Sequence, residues 1–160
     1  TKATMATKKM AIIATKGTLD MAYPPLILAS TAAALGWDVQ IFFTFYGLQL
    51  LRKNLDGIRI SPLANPAMPM PVPMPVIVSV LPGMEAMATM MMKDKMKKKG
   101  VASLEELRSL CQEADVKFIA CQMTVDLFEF QTSEFIDGIE YGGAATFMKF
   151  AGETDVCLFI

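Results

Sequence analysis

No histidine occurs among the 160 residues of this chain. That absence removes the commonest general base and the commonest metal ligand together. Ser-His and Cys-His nucleophile pairs are excluded, and so are zinc sites built on imidazole. Cysteine is scarce too: Cys111, Cys121 and Cys157 make an odd number at wide spacing, with no CxxC pair. Secreted disulfide frameworks are usually even and dense, so these three point to a reducing compartment, the cytoplasm. Net charge is also missing, with 15 basic residues against 16 acidic ones, and nothing gathers nucleic acid. Neither GxGxxG nor GxxxxGK[ST] is present. No cofactor and no metal site is expected. Residues 1–7 lack the apolar run of a signal peptide and read as a loose arm.

What the chain does have is apolar surface. Hydrophobic residues are 53% of the total, enough for one well-buried domain with apolar area left over for subunit contacts or a membrane surface. Residues 8–160 read as that domain. The apolar run from Lys8 to Thr15 predicts a buried strand, and Lys16-Gly17-Thr18 a turn. A helix is expected over 22–35, because Pro24 and Pro25 are tolerated only near a first turn, and Gly36 ends it. Residues 38–45 predict a second strand and 47–54 a second helix. Strand and helix in alternation, with apolar strands, imply an α/β fold: a parallel sheet with helices on both faces.

Residues 61–99 interrupt that order. Seven of nine prolines fall between positions 55 and 82, and eight of fourteen methionines between Met68 and Met92. Proline at alternate positions denies donors to a central strand, so an extended insertion is expected. A helix follows over 83–99, with Met84, Met87, Ala88 and Met91 on one face and lysines at its end. Paired thioethers such as Met68 and Met70 suit Cu(I), but no cysteine or histidine stands beside them, and packing between subunits is the better reading. Pro82-Gly83 argues against a spanning helix; a helix lying on a membrane surface is the less favoured alternative.

Ser103-Leu104-Glu105-Glu106 is a capping box opening a helix that carries Cys111. The strand 116–121 ends on Cys121, a helix is expected over 122–130, and a short one over 133–137. A strand near 139–141, a helix over 143–150 and a strand over 155–160 complete about five strands. Ligands meet open α/β sheets at the carboxyl ends of strands. A cysteine in that position also meets the free amides of the next helix, which favour the reactive thiolate without any histidine. Cys121 is therefore the candidate nucleophile. Against it stands burial as a small hydrophobe, which is how Cys111 and Cys157 are read. A Cys121–Cys157 disulfide has no support in the sequence. Lys16, in its turn, is more simply a solvated lysine than an anion ligand, and Asp126 and Glu129 are read as surface.

Lys9 to Thr15 with Gly17-Thr18-Leu19-Asp20, then Phe42 to Leu48, Leu81-Pro82-Gly83-Met84, Gly100-Val101-Ala102 and Ile119 to Thr124 resemble the DsrE/DsrF-like family of sulfur-trafficking proteins. The likeness spans 8–160 and is closest to the stand-alone branch with a Pro/Met-rich insertion. It implies a parallel five-stranded sheet, a homo-oligomer, and sulfur carried as a persulfide on the cysteine matching Cys121. The implied function is a sulfurtransferase or sulfur carrier. Its donors and acceptors would be rhodanese-like or TusA-like proteins, or thiosulfate. Lys16, Gly17, Thr18, Tyr46, Gln122 and Met123 are expected to shape the pocket. One position departs from the family pattern: a glycine is expected where this chain has Glu129. A non-enzymatic interaction module and a peroxiredoxin-like thiol protein are the rival readings.

Overall fold

The computed structural model of the protein describes residues 6–59, 77 and 81–160. The proline-rich half of the 61–99 insertion, with its expected extended chain and the Met68 and Met70 pair, and the first five residues of the N-terminal arm lie outside the described residues. Five strands, β1 (Lys9–Ala14), β2 (Asp38–Phe43), β3 (Lys117–Cys121), β4 (Glu140–Gly142) and β5 (Val156–Phe159), form one sheet in the order β4-β3-β2-β1-β5. Every pairing is parallel, as the apolar strands predict. The fifth strand expected near 139–141 is β4, which sets Gly142 opposite Cys121.

Alternation along the strands divides the core in two. Ile12, Ile41, Phe43, Phe118 and Ala120 face α1 (Leu19–Ala34) and the helix carrying Cys111. Ala11, Phe42, Ile119 and Cys121 face the other way, onto α5 (Ala144–Ala151). Phe147 of α5 stacks on Phe42 with ring centroids 4.9 Å apart. Burying a ring of that size is worth about 2–3 kcal/mol. Helices thus cover both faces, among the described residues several on one side and a single short one on the other.

Several boundaries differ from those read in the sequence. Helix α1 starts at Leu19, three residues early, which puts Pro24 and Pro25 inside it. Its first amide is satisfied from outside, Leu19 donating to the Arg59 carbonyl at 2.7 Å, so the early turn costs no orphan donor. Strand β2 stops at Phe43, and the expected helix over 47–54 is a 3-10 turn over Phe45–Leu51. In α2 (Met84–Lys98) the inward residues are Ala88 and Thr89, with Met84, Met92 and Met96 beside them; Met87, Met90 and Met91 are exposed. The methionine face drawn from spacing was therefore rotated. The capping box of α3 (Leu104–Glu113) forms as expected, Ser103 and Glu106 each accepting the other's amide.

Helix α4 (Gln122–Leu127) ends sooner than expected, leaving Phe130 beyond it. Its end explains the odd residue at 129. The Phe130 amide bonds back to Val125 and the Glu129 amide to Asp126, the pattern that needs a left-handed residue between them. Glu129 has φ 55°, a conformation that costs a non-glycine residue about 1 kcal/mol. The turn expected of a glycine is kept without one.

The 3-10 turn is pinned at both ends. Arg108, buried on α3, donates to the Leu50 carbonyl at 2.8 Å and the Arg52 carbonyl at 2.7 Å, a cation where carbonyls cluster. At the other end Gly47 lies directly on the Ala14 carbonyl, where a Cβ would collide with backbone. Gly47→Ala is expected to lower the urea midpoint by the equivalent of about 3 kcal/mol. Gly57→Ala, where a Cβ meets open space, should stay within about 0.5 kcal/mol of wild type.

Candidate functional site

The carboxyl ends of β2 and β3 come together under the 3-10 turn, and Cys121 sits there. It is the last residue of β3 and the cap residue of α4, with φ −67° and ψ 110°. Its side chain joins the core cluster under α5, and the residue is 5% exposed. Thr44, the residue after β2, and Thr124, in the first turn of α4, flank the sulfur. Their hydroxyl oxygens are 3.2 Å apart, and Thr124 Oγ1 accepts the Phe45 amide at 3.3 Å. Phe45 holds φ 49° to make that bond, a local strain of roughly 1–3 kcal/mol.

Burial alone would push the Cys121 thiol up. Donors win: the Thr124 hydroxyl and amide, the Thr44 hydroxyl and the Met123 amide together hold it below the ordinary cysteine value. The two amides fall short of full capping hydrogen bonds, so their pull is that of dipoles aimed at a developing charge. These donors are uncharged. Asp126, four residues along the helix from Gln122, accepts from the Gln122 side-chain Nε2 at 2.8 Å.

The other cysteines differ in kind. Cys111 is fully buried on the opposite side of the sheet, its thiol donating to the Leu26 carbonyl at 3.4 Å. Burial pushes it up to about 11, the inert state expected of a core cysteine. Cys157, expected in the core, is exposed instead, on the edge strand β5, where burial alternates between partial and none. It shares a sheet face with Cys121, but β1 and β2 lie between their strands, about 14 Å across three strand spacings. A bridge needs Cα atoms within about 7 Å. The Cys121–Cys157 disulfide is ruled out by the topology.

The expected pocket residues divide. Gln122 and Met123 open α4 beside the sulfur, both exposed, Met123 at 62%. Tyr46 is exposed and stacks on Phe128 at 6.1 Å, while Phe45 meets the same ring edge-on at 6.2 Å. Met123 and Leu127, one turn apart on α4, are exposed as well, and with these rings they make up an apolar ledge along and just past that helix. Gly17 abuts the Tyr46 carbonyl and opens onto a cleft with Gln49, Arg52 and Asn54. Lys16 is exposed and donates to Thr15 Oγ1 at 3.2 Å; Thr18 caps α1 without a side-chain bond. Their strand is two places from β3, about 10 Å away. Thr44, Thr124 and Phe128 were missed by the sequence reading. The signal was there for Thr124, since the third residue after a cap faces back over it.

Comparison with known proteins bears on the family and the fold. Residues 6–159 match the DsrE/DsrF/DrsH-like family. The chain belongs to that family. It is 67% identical to the sulfur carrier protein DsrE2 of Allochromatium vinosum, over 98% of this chain and all of the relative. It is 35% identical to the uncharacterized protein YrkE of Bacillus subtilis, over 98% of this chain and 99% of that one. The crystal structure of the ychN protein from E. coli shares the fold, with TM-score 0.59 and 14% identity over 96% of this chain and 99% of that chain. Among the described residues no helix is long and apolar enough to cross a membrane.

Alkylation followed peptide by peptide should give Cys121 a rate–pH midpoint on the acid side of a free-cysteine peptide run in parallel. Cys111 should stay unmodified until the chain unfolds. A Cys121 midpoint equal to that of the peptide would contradict the role given to the donors around it.

Proposed function

We propose that the protein is a sulfur carrier that holds sulfane sulfur as a persulfide on Cys121 and passes it to a partner thiol. One observation carries this reading: a thiol at a strand end and helix cap with the paired hydroxyls of Thr44 and Thr124 around it, donors that hold its pKa down without any charged group. The likeness to a relative described as a sulfur carrier supports it. The Cys121 thiolate attacks the sulfane sulfur of thiosulfate or of a donor's persulfide, forming Cys121–S–SH once the outer sulfur takes a proton. The sulfite or donor thiolate leaves, and thiol–disulfide exchange rules govern both directions. Nothing in that sequence needs a histidine, because the thiolate forms without a general base. The ledge of Tyr46, Phe128, Met123 and Leu127 offers the apolar rim against which a rhodanese-like or TusA-like partner would bring its own sulfur. The reducing cytoplasm is where such a free thiol persists.

Incubation with thiosulfate or a persulfide donor, followed by intact-mass analysis, tests the reading directly. Wild type should gain one sulfur that dithiothreitol removes. Cys121→Ser should gain none, while Cys111→Ser and Cys157→Ser load as wild type does. Loading of Cys121→Ser at the wild-type rate would overturn the assignment.

The same reading includes assembly of copies through α2. Met87, Met90 and Met91 are 48%, 71% and 65% exposed in the single chain, an apolar stripe of adaptable side chains suited to subunit contact. Because Met87 and Met91 face outward, placing aspartate at both should leave the fold intact and split the oligomer, as read by light scattering. A wild-type monomer that floats with liposomes would instead support the membrane-surface reading.

A further inference from the structure

The two hydroxyls beside Cys121 do more than its role as a nucleophile requires. The Phe45 amide occupies a lone pair of Thr124 Oγ1 at 3.3 Å, and Thr44 Oγ1 lies 3.2 Å from the same oxygen. Two protons are thus shared among three heavy atoms. The geometry allows Thr44 to donate to Thr124 and Thr124 to sulfur, or the reverse, or both to donate to sulfur. In each arrangement a hydroxyl donates to Sγ. Rotation of a hydroxyl costs little, so the pair can accept from a thiol S–H and donate to a thiolate.

Such donors do not treat all states of the sulfur alike. A thiolate draws charge-assisted hydrogen bonds, roughly twice as strong as neutral ones, whereas the inner sulfur of a persulfide is neutral and a weak acceptor. We propose that Thr44 and Thr124, together with the burial of Sγ, make Cys121 the leaving sulfur, so that cargo departs as sulfane sulfur on the acceptor and not as hydrogen sulfide. The substrate in this proposal rests on the sulfur-carrier reading; the hydroxyl arrangement does not.

The balance is R–S⁻ + Cys121–S–SH → R–S–SH + Cys121–S⁻. One S–S bond forms between the acceptor and the outer sulfur while the bond to Sγ breaks. The electron pair of the broken bond stays on Sγ, where the hydroxyls receive it. The proton travels with the outer sulfur, and no outside oxidant or reductant takes part. Attack on the inner sulfur would instead give Cys121–S–S–R and expel HS⁻. Two features oppose that course. Cys121 is 5% exposed and Thr124 fully buried, which shields the inner sulfur, while a sulfur added to Sγ would lie one S–S bond, about 2 Å, beyond it. A thiol of lower pKa also leaves faster. The net depression of the Cys121 value against its burial, with both hydroxyls among the causes, agrees.

Thr44 and Thr124 are then positioning residues, acting on substrate through Cys121. The test loads wild type, Thr44→Val, Thr124→Val and the serine variants at both positions with sulfane sulfur. Discharge to glutathione follows, quenched early with iodoacetamide, and protein mass and released sulfide are measured. Wild type should return to free thiol with little sulfide. The valine variants should load at undiminished rate where Cys121 is fully ionised. They should discharge about three-fold more slowly for each unit by which the Cys121 midpoint rises, with more glutathione mixed disulfide and more sulfide. The serine variants keep the hydroxyl and should match wild type. A general structural defect would slow loading and discharge together, and that outcome overturns the proposal. So do valine variants with wild-type discharge rate and products. If wild type fails to load at all, the carrier reading falls by itself. The alkylation midpoints of the same variants still decide the hydroxyl pair, and unmoved midpoints overturn it.

Discussion

The carbonyl of Ala14 is the contact on which the site depends. It accepts the Thr44 amide at 3.1 Å, and the backbone of Gly47 lies against it. A chain that leaves β2 and must touch the end of β1 again three residues later has little conformational choice. It tightens into a 3-10 turn, and Phe45 is driven to positive φ. That conformation turns the Phe45 amide toward Thr124, and so fixes the hydroxyl beside the sulfur. Arg108 anchors the far end of the same turn from inside the core. Three strands and a buried guanidinium thus converge on the placement of one oxygen atom.

Much of the fold was legible because its signals are local or periodic. The apolar strands, the capping box at Ser103 and the glycine after α1 each report a rule that acts within a few residues. The errors came where a distant partner decided the outcome. Helix α1 begins early because the Arg59 carbonyl, forty residues away in sequence, takes the Leu19 amide. Cys157 looked like a core residue because its strand is apolar, but strand order placed it on an edge. The face of α2 depends on what it packs against, and helical spacing alone left its rotation open.

The site was readable in part for the same reason. Cys121 announces itself by position, at a strand end followed by helix amides. Thr124 is one helical turn away and could have been found. Thr44 could not, since it is 77 residues distant and reaches the sulfur only through the pairing of β2 with β3. Lys16 and Thr18 share the carboxyl edge with Cys121, but the strand order sets them two strands off. Without histidine, acid–base work of the usual kind is closed to this chain, and neutral hydroxyls and amides take the place of charge.

The sheet also keeps the three sulfurs apart. Cys111 lies behind it and Cys157 three strands along, so no thiol of the same chain can approach Cys121. On the proposed reading, a cargo sulfur held there would not be lost to ring closure within the chain. Its dwell time would then be set by the arrival of an outside thiol, the load being kept by isolation and not by tight binding.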